Sequence, residues 1–333
     1  MANDHTSSST NIGYPYSVDL IPPIVKFWLY LIFLIPSIIC ALFVLYHLLC
    51  DQILRRSLNN HVIIVLLITV VICQVTMYPW MLYFYYHINT WSRSFVYCLI
   101  WGFIDWAIYL LQLLLFSWAS IERHILIFHD KWVSTKKKRF FVHYLPLIIL
   151  IIYWFIFYTF VYFYPPCENI FDSSQMICVT ICLFNSFSFR TVEMLFHYII
   201  PCFTIIFLSI TLILRVIWQK HRIHQPILWR RHRKMTIQLL SISALYLIVT
   251  APWATIIFLR ICGLPSSIGE GFENLTFFIS YYIVLFFPFV SVLSLPELRT
   301  KFKRALHLPR ARRIVGPETF IRTGVKNQQV PMQ

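Results

Sequence analysis

Charge is scarce in this chain. Asp, Glu, Lys and Arg together make up 12% of its 333 residues, and only 13 are acids. Glycine is scarcer still, at 7 residues, too few for a loop-rich fold. A soluble domain cannot hide a chain that is 59% hydrophobic, so the composition excludes one and points to an integral membrane protein. No HExxH, GxSxG or P-loop pattern occurs, so nothing marks an enzyme, and no cofactor or metal site is expected. Strict apolar–polar alternation is missing, and the apolar runs outlast a barrel strand, which excludes a membrane β-barrel. No internal repeat or second domain is visible.

What is present is a set of seven apolar runs, at about 27–50, 62–86, 95–121, 140–164, 190–214, 235–259 and 275–295. Each reaches the roughly 20 residues that a helix needs to cross the hydrocarbon core at 1.5 Å per residue. The basic residues are unevenly placed. If the N-terminus lies outside, the four cytoplasmic segments hold 24 of the 28 Lys and Arg. The outer segments hold one each: Lys26, Arg93, Arg190 and Arg260. This is a positive-inside pattern, and it requires an odd number of spans. The net charge of +15 then belongs to a cytoplasmic face and not to a nucleic-acid site. The polar start has no apolar h-region, so no cleaved signal peptide is expected.

The third run begins near Cys98 and ends "ASIERH", with Glu122-Arg123-His124. Cys98 and Arg123 are 25 residues apart, roughly 38 Å of helix, so they fall on opposite sides of the bilayer. A cysteine at the top of helix three and Glu-Arg at its foot resembles the rhodopsin-like (class A) G-protein-coupled receptors. Glu122-Arg123-His124 looks like their Asp/Glu-Arg-Tyr motif. Pro79, Pro201, Pro252 and Pro288 are similarly spaced to the family's kink prolines in helices two, five, six and seven. The resemblance covers about residues 27–306.

It implies an all-α, seven-transmembrane helix bundle with the N-terminus outside, in the plasma membrane. An extracellular N-terminus (1–26) precedes the receptor domain (27–295). An amphipathic juxtamembrane helix (296–306) with Leu298, Phe302 and Leu306 on one face follows, then a disordered basic tail (307–333). The implied partners are an extracellular ligand, a basic peptide or an amine, and a cytoplasmic heterotrimeric G-protein. Glu122, Arg123 and His124 are implied to couple to the latter, with Glu122 holding Arg123 at rest. Asp105, two turns below Cys98, matches the acid with which amine and some basic-peptide receptors bind a cation, and Tyr281 the phenol that bonds it. A structural pairing of Asp105 with Arg93, Arg190 or a helix-seven hydroxyl is the competing reading. Glu193 and His197, one turn apart on helix five, and Trp253 are expected to complete the pocket. The resemblance implies a disulfide from Cys98 to the second outer loop, with Cys182 the first expectation and Cys178 the alternative.

Departures are also clear. Leu42, Val70, Thr250, Phe287 and Ser291 stand where the family carries the polar residues of its sodium and water network, its toggle Trp and its Asn-Pro-x-x-Tyr motif. No allosteric sodium site is therefore expected, and Gln112 is the expected polar remnant in the middle of helix three. No lysine lies between Arg260 and Arg299, so an opsin with a Schiff base is a poor fit. A seven-helix transporter or channel without G-protein coupling is the alternative. One deep acid and no repeated halves count against it.

Overall fold

The computed structural model describes residues 20–87, 93–128, 135–172, 175–222, 226–265 and 268–305. Seven of its helices are long and apolar enough to cross a membrane. They are α1 (Pro23–Cys50), α2 (Asn60–Tyr86), α3 (Phe95–Leu126), α4 (Lys136–Phe163), α5 (Phe187–Arg215), α6 (Leu240–Ile261) and α7 (Glu270–Ser294). A further helix, α8 (Pro296–Ala305), follows at once. α4 begins before its apolar run because a cap sets the boundary, Thr135 accepting from the Lys138 amide. At α3 run and helix start together, where Ser94 accepts from the Tyr97 amide. Pro23 occupies the first turn of α1, where its missing N–H costs nothing.

Burial orders the bundle. In α3, 72% of the most apolar window is buried, against 17% in α4. α3 is thus the central post and α4 a peripheral one. The α8 helix lays Leu298, fully buried, and Phe302 against the bundle, while Arg299 and Arg304 stay exposed. Leu306 and the expected tail lie outside the described residues. A tie across the same end joins Lys301 to Asp51 at 2.9 Å. That ammonium, with the Ile53 amide, holds the Asp51 carboxyl below its usual range.

Three helices widen into π-turns, at Phe103–Ile108 in α3, Phe140–Tyr144 in α4 and Leu195–Ile199 in α5. Each holds a buried titratable side chain: Asp105, His143 and His197. Such wide turns re-aim side chains that a regular helix would point elsewhere.

Prolines interrupt the backbone ladder, and at Pro288 a side chain repairs it. A proline has no N–H for the carbonyl four residues back. Pro288 leaves the carbonyl of Val284, which accepts from Gln74 Nε2 of α2 at 3.1 Å. The neighbouring Leu285 carbonyl accepts from Ser37 Oγ of α1 at 2.6 Å, and Gln74 also donates to Ser37 at 2.8 Å. α7 is interrupted at Tyr281, whose carbonyl accepts from Tyr78 Oη at 2.6 Å. Pro79 follows an interruption at Thr76, Pro201 follows the π-turn of α5, and Pro252 lies inside the helix that includes α6.

Gln112 is buried in the middle of α3, as expected, and among the described residues reaches the Cys73 sulfur at 3.5 Å. Gln74 and Ser37, which the sequence reading did not select, connect α1, α2 and α7. Leu42 points outward, 51% exposed, and the inward residue beside it is Ala41.

Candidate functional site

Two clusters of buried polar side chains lie at different depths along α3. The first lies toward the end that carries the disulfides. Asp105, 1% exposed, receives Tyr281 Oη at 3.0 Å on each carboxylate oxygen. Among the described residues it meets no cation. Arg93 instead donates to the carbonyls of Met176 and Gln175, at 2.9 and 2.8 Å, and Arg190 is exposed. Of the partners the sequence allowed, the helix-seven hydroxyl is the one present.

One residue along, Trp106 turns toward α5 and donates from Nε1 to Glu193 Oε1 at 3.0 Å. Tyr158 of α4 donates to the same oxygen. The second oxygen, Glu193 Oε2, is buried without a hydrogen-bond partner among the described residues. His197 meets Tyr158 Oη at 3.3 Å through Nδ1 and Tyr153 Oη at 2.9 Å through Nε2. Trp253 stands edge-on to Trp106 and Tyr198, with ring centres 6.0 and 4.8 Å apart. Asp105, Tyr281, Glu193, His197 and Trp253 are thus all buried on neighbouring helices, linked through Trp106 and the aromatic rings. Trp106, Tyr153 and Tyr158 are members that the sequence reading did not select. No sequence signal marks the two tyrosines within an aromatic α4; Trp106 was marked only by adjacency to Asp105. A separate apolar cleft of about 330 Å³ opens on α4 beside Tyr153 and Phe157, and includes neither carboxylate.

The second cluster surrounds Glu122 and Arg123, both buried at 2% and 3% exposure, with His124 partly exposed. Glu122 Oε1 meets His143 Nδ1 of α4 at 2.5 Å, a partner absent from the sequence reading.

The disulfides correct one expectation. Cys98 bonds to Cys178, and Cys167 bonds to Cys182, so Cys182 is not the partner of Cys98. The reason is a small hairpin, β1 (Ile170–Phe171) and β2 (Val179–Thr180), paired antiparallel. Val179 presses onto Gly102 of α3, where an added Cβ would stand 3.1 Å from Val179 Cγ1 and 3.0 Å from Tyr162. That contact brings Cys178, one residue earlier, over Cys98. Cys182 lies beyond the strand, its amide bonded to Asn169 Oδ1 at 3.1 Å, close to Cys167. Among the described residues no group of His, Cys, Asp and Glu is arranged to hold a metal ion.

No family model matches the chain, and no curated protein does. Among solved structures it resembles squid rhodopsin, with a TM-score of 0.62 over 87% of each chain at 15% sequence identity. The chain has the rhodopsin-like seven-helix fold.

Proposed function

We propose that this chain is a receptor of the rhodopsin-like class, set in the plasma membrane with its N-terminus outside and catalysing no covalent chemistry. It binds an extracellular ligand bearing a cationic group, a basic peptide or a biogenic amine, and passes the signal to a heterotrimeric G-protein. Asp105 takes the ligand cation, with Tyr281, Glu193, His197 and Trp253 around it. Glu122, Arg123 and His124 meet the G-protein at the other end.

The observation that supports this reading is the state of Asp105. An unneutralised carboxylate at membrane depth costs on the order of 2.5–3.5 kcal/mol on insertion scales. Here one phenol serves both of its oxygens and no described cation does. A ligand ammonium or guanidinium is the missing partner. A light-driven role lacks its chemistry, because α7 holds no lysine for a Schiff base.

The test is a cationic ligand library on cells expressing the full chain, read by G-protein dissociation. Asp105→Asn is expected to weaken any agonist by roughly thirtyfold or more, as for loss of a buried charge partner. Arg123→Ala is expected to reach the surface yet lose agonist-driven nucleotide exchange. Agonism indifferent to Asp105 removes the cation role. Exchange indifferent to Arg123 removes the coupling role.

A further inference from the structure

The Glu122–His143 contact is one link in a longer chain. His143 Nε2 meets His61 Nδ1 of α2 at 2.9 Å, and His61 Nε2 meets the Arg55 carbonyl at 2.9 Å. Glu122 and His143 are buried, and His61 is half-buried. Three hydrogen bonds thus run from a carboxyl, through two imidazoles, to a carbonyl.

Counting hydrogens decides the protonation of this set. The Arg55 carbonyl can only accept, so His61 Nε2 carries one hydrogen. The His61–His143 link needs a second, and the His143–Glu122 link a third. A carboxylate with two neutral imidazoles holds only two. The arrangement therefore requires one proton more, whether it sits on either ring or on the carboxyl. With it the set is formally neutral; without it, the set carries one negative charge.

We propose that Glu122, His143 and His61 form a binding site for a single proton, which fastens α2, α3 and α4 together and makes this end of the bundle sensitive to pH. The surroundings are consistent with an uncharged set. Tyr144 lays its ring against both imidazoles, at 4.5 and 5.6 Å between ring centres. Arg55 turns its guanidinium to the Leu49 carbonyl, and Arg56 and Lys136–Arg139 are exposed. On α3 itself, Arg123 is buried and His124 partly exposed. Loss of the proton breaks one of the three links and leaves the set with one negative charge, next in sequence to the buried Arg123. None of this depends on ligand binding or on a G-protein.

The sign follows from linkage. A proton kept by the folded state and released by unfolded histidine, near pH 6.5, stabilises fully below that pH. The stabilisation is lost as pH rises far enough to take the proton from the folded set. Glu122→Gln is the informative variant. Its amide N–H supplies the third hydrogen permanently, so all three links persist with neutral rings. Purified full-length protein in nanodiscs is melted from pH 5 to 9, and proton release on unfolding in detergent is counted at pH 7.5. The parent is expected to lose melting temperature as pH rises and to release about one proton more than Glu122→Gln, whose profile is flatter. His143→Asn, which breaks the chain at any pH, is expected to melt lower than Glu122→Gln throughout. Parallel melting profiles, or equal proton release from parent and Glu122→Gln, overturn the proposal.

Discussion

Single side chains set the character of both clusters. Asp105 and Tyr281 were legible in the sequence, because their distances from Cys98 and Pro288 place them on inward faces of two known helices. Glu193 was legible as an acid on α5, but its donors were not. Trp106 and Tyr158 reach it from other helices, and no spacing along the chain records such a meeting. Tyr158 is fully buried, and its hydroxyl serves both Glu193 and His197. Tyr158→Phe keeps the ring and removes the donor. It is expected to lower stability by about 1–3 kcal/mol, the cost of leaving a buried acceptor short of a partner. Thermal denaturation of the purified protein checks this; an unchanged melting curve would show the hydroxyl to be dispensable. The same blindness hid His143. It lies in a π-turn of α4, 21 residues from Glu122, and only the packing of α4 on α3 brings the two together.

At the scale of elements, helix number and order were readable from apolar length and charge, since the bilayer imposes both. The ends of helices were less so. A hydropathy run ends where polarity begins, whereas a helix ends where its caps lie, as Thr135 shows. The disulfide pairing failed for a comparable reason. It depends on a four-residue sheet whose register no periodicity announces, and on Gly102 admitting Val179. The sequence marks the prolines but not their consequence. Each frees a carbonyl, and for Pro288 the acceptor of record is Val284, served by Gln74. A double-mutant cycle tests that link. Gln74→Leu alone strands a buried carbonyl. In a Pro288→Ala background the helix supplies its own N–H, so Gln74→Leu should cost less. A coupling of about 0.5–3 kcal/mol is expected from chemical denaturation. Strict additivity would mean that Gln74 does not stand in for the missing amide.

For the whole molecule, the 15% identity to squid rhodopsin beside a TM-score of 0.62 shows how the shape outlasts the residues. The bundle is tied at both ends. At one, Arg260 pairs with Glu273 at 2.7 Å between α6 and α7. At the other, Lys301 fixes α8 to Asp51 after α1. Because the Asp51 carboxyl is held below its ordinary range, this tie is complete at neutral pH. It is lost as pH falls below about 3.9 and through the folded value. A spin label at Arg304 is expected to gain mobility over that acid window. In Lys301→Ala the label is already mobile at pH 7. A label equally immobile in both proteins at pH 7 would assign the anchoring of α8 to Leu298 and Phe302 alone.

Tyr281 has two jobs at once: its hydroxyl caps Asp105, and its carbonyl, at the break in α7, is latched by Tyr78. On the proposed reading, a cation that bonds the Asp105 oxygens would share them with that phenol, and the phenol sits on the joint of the helix. Occupancy at the acid would then be felt at α7, with Tyr78 as the fulcrum.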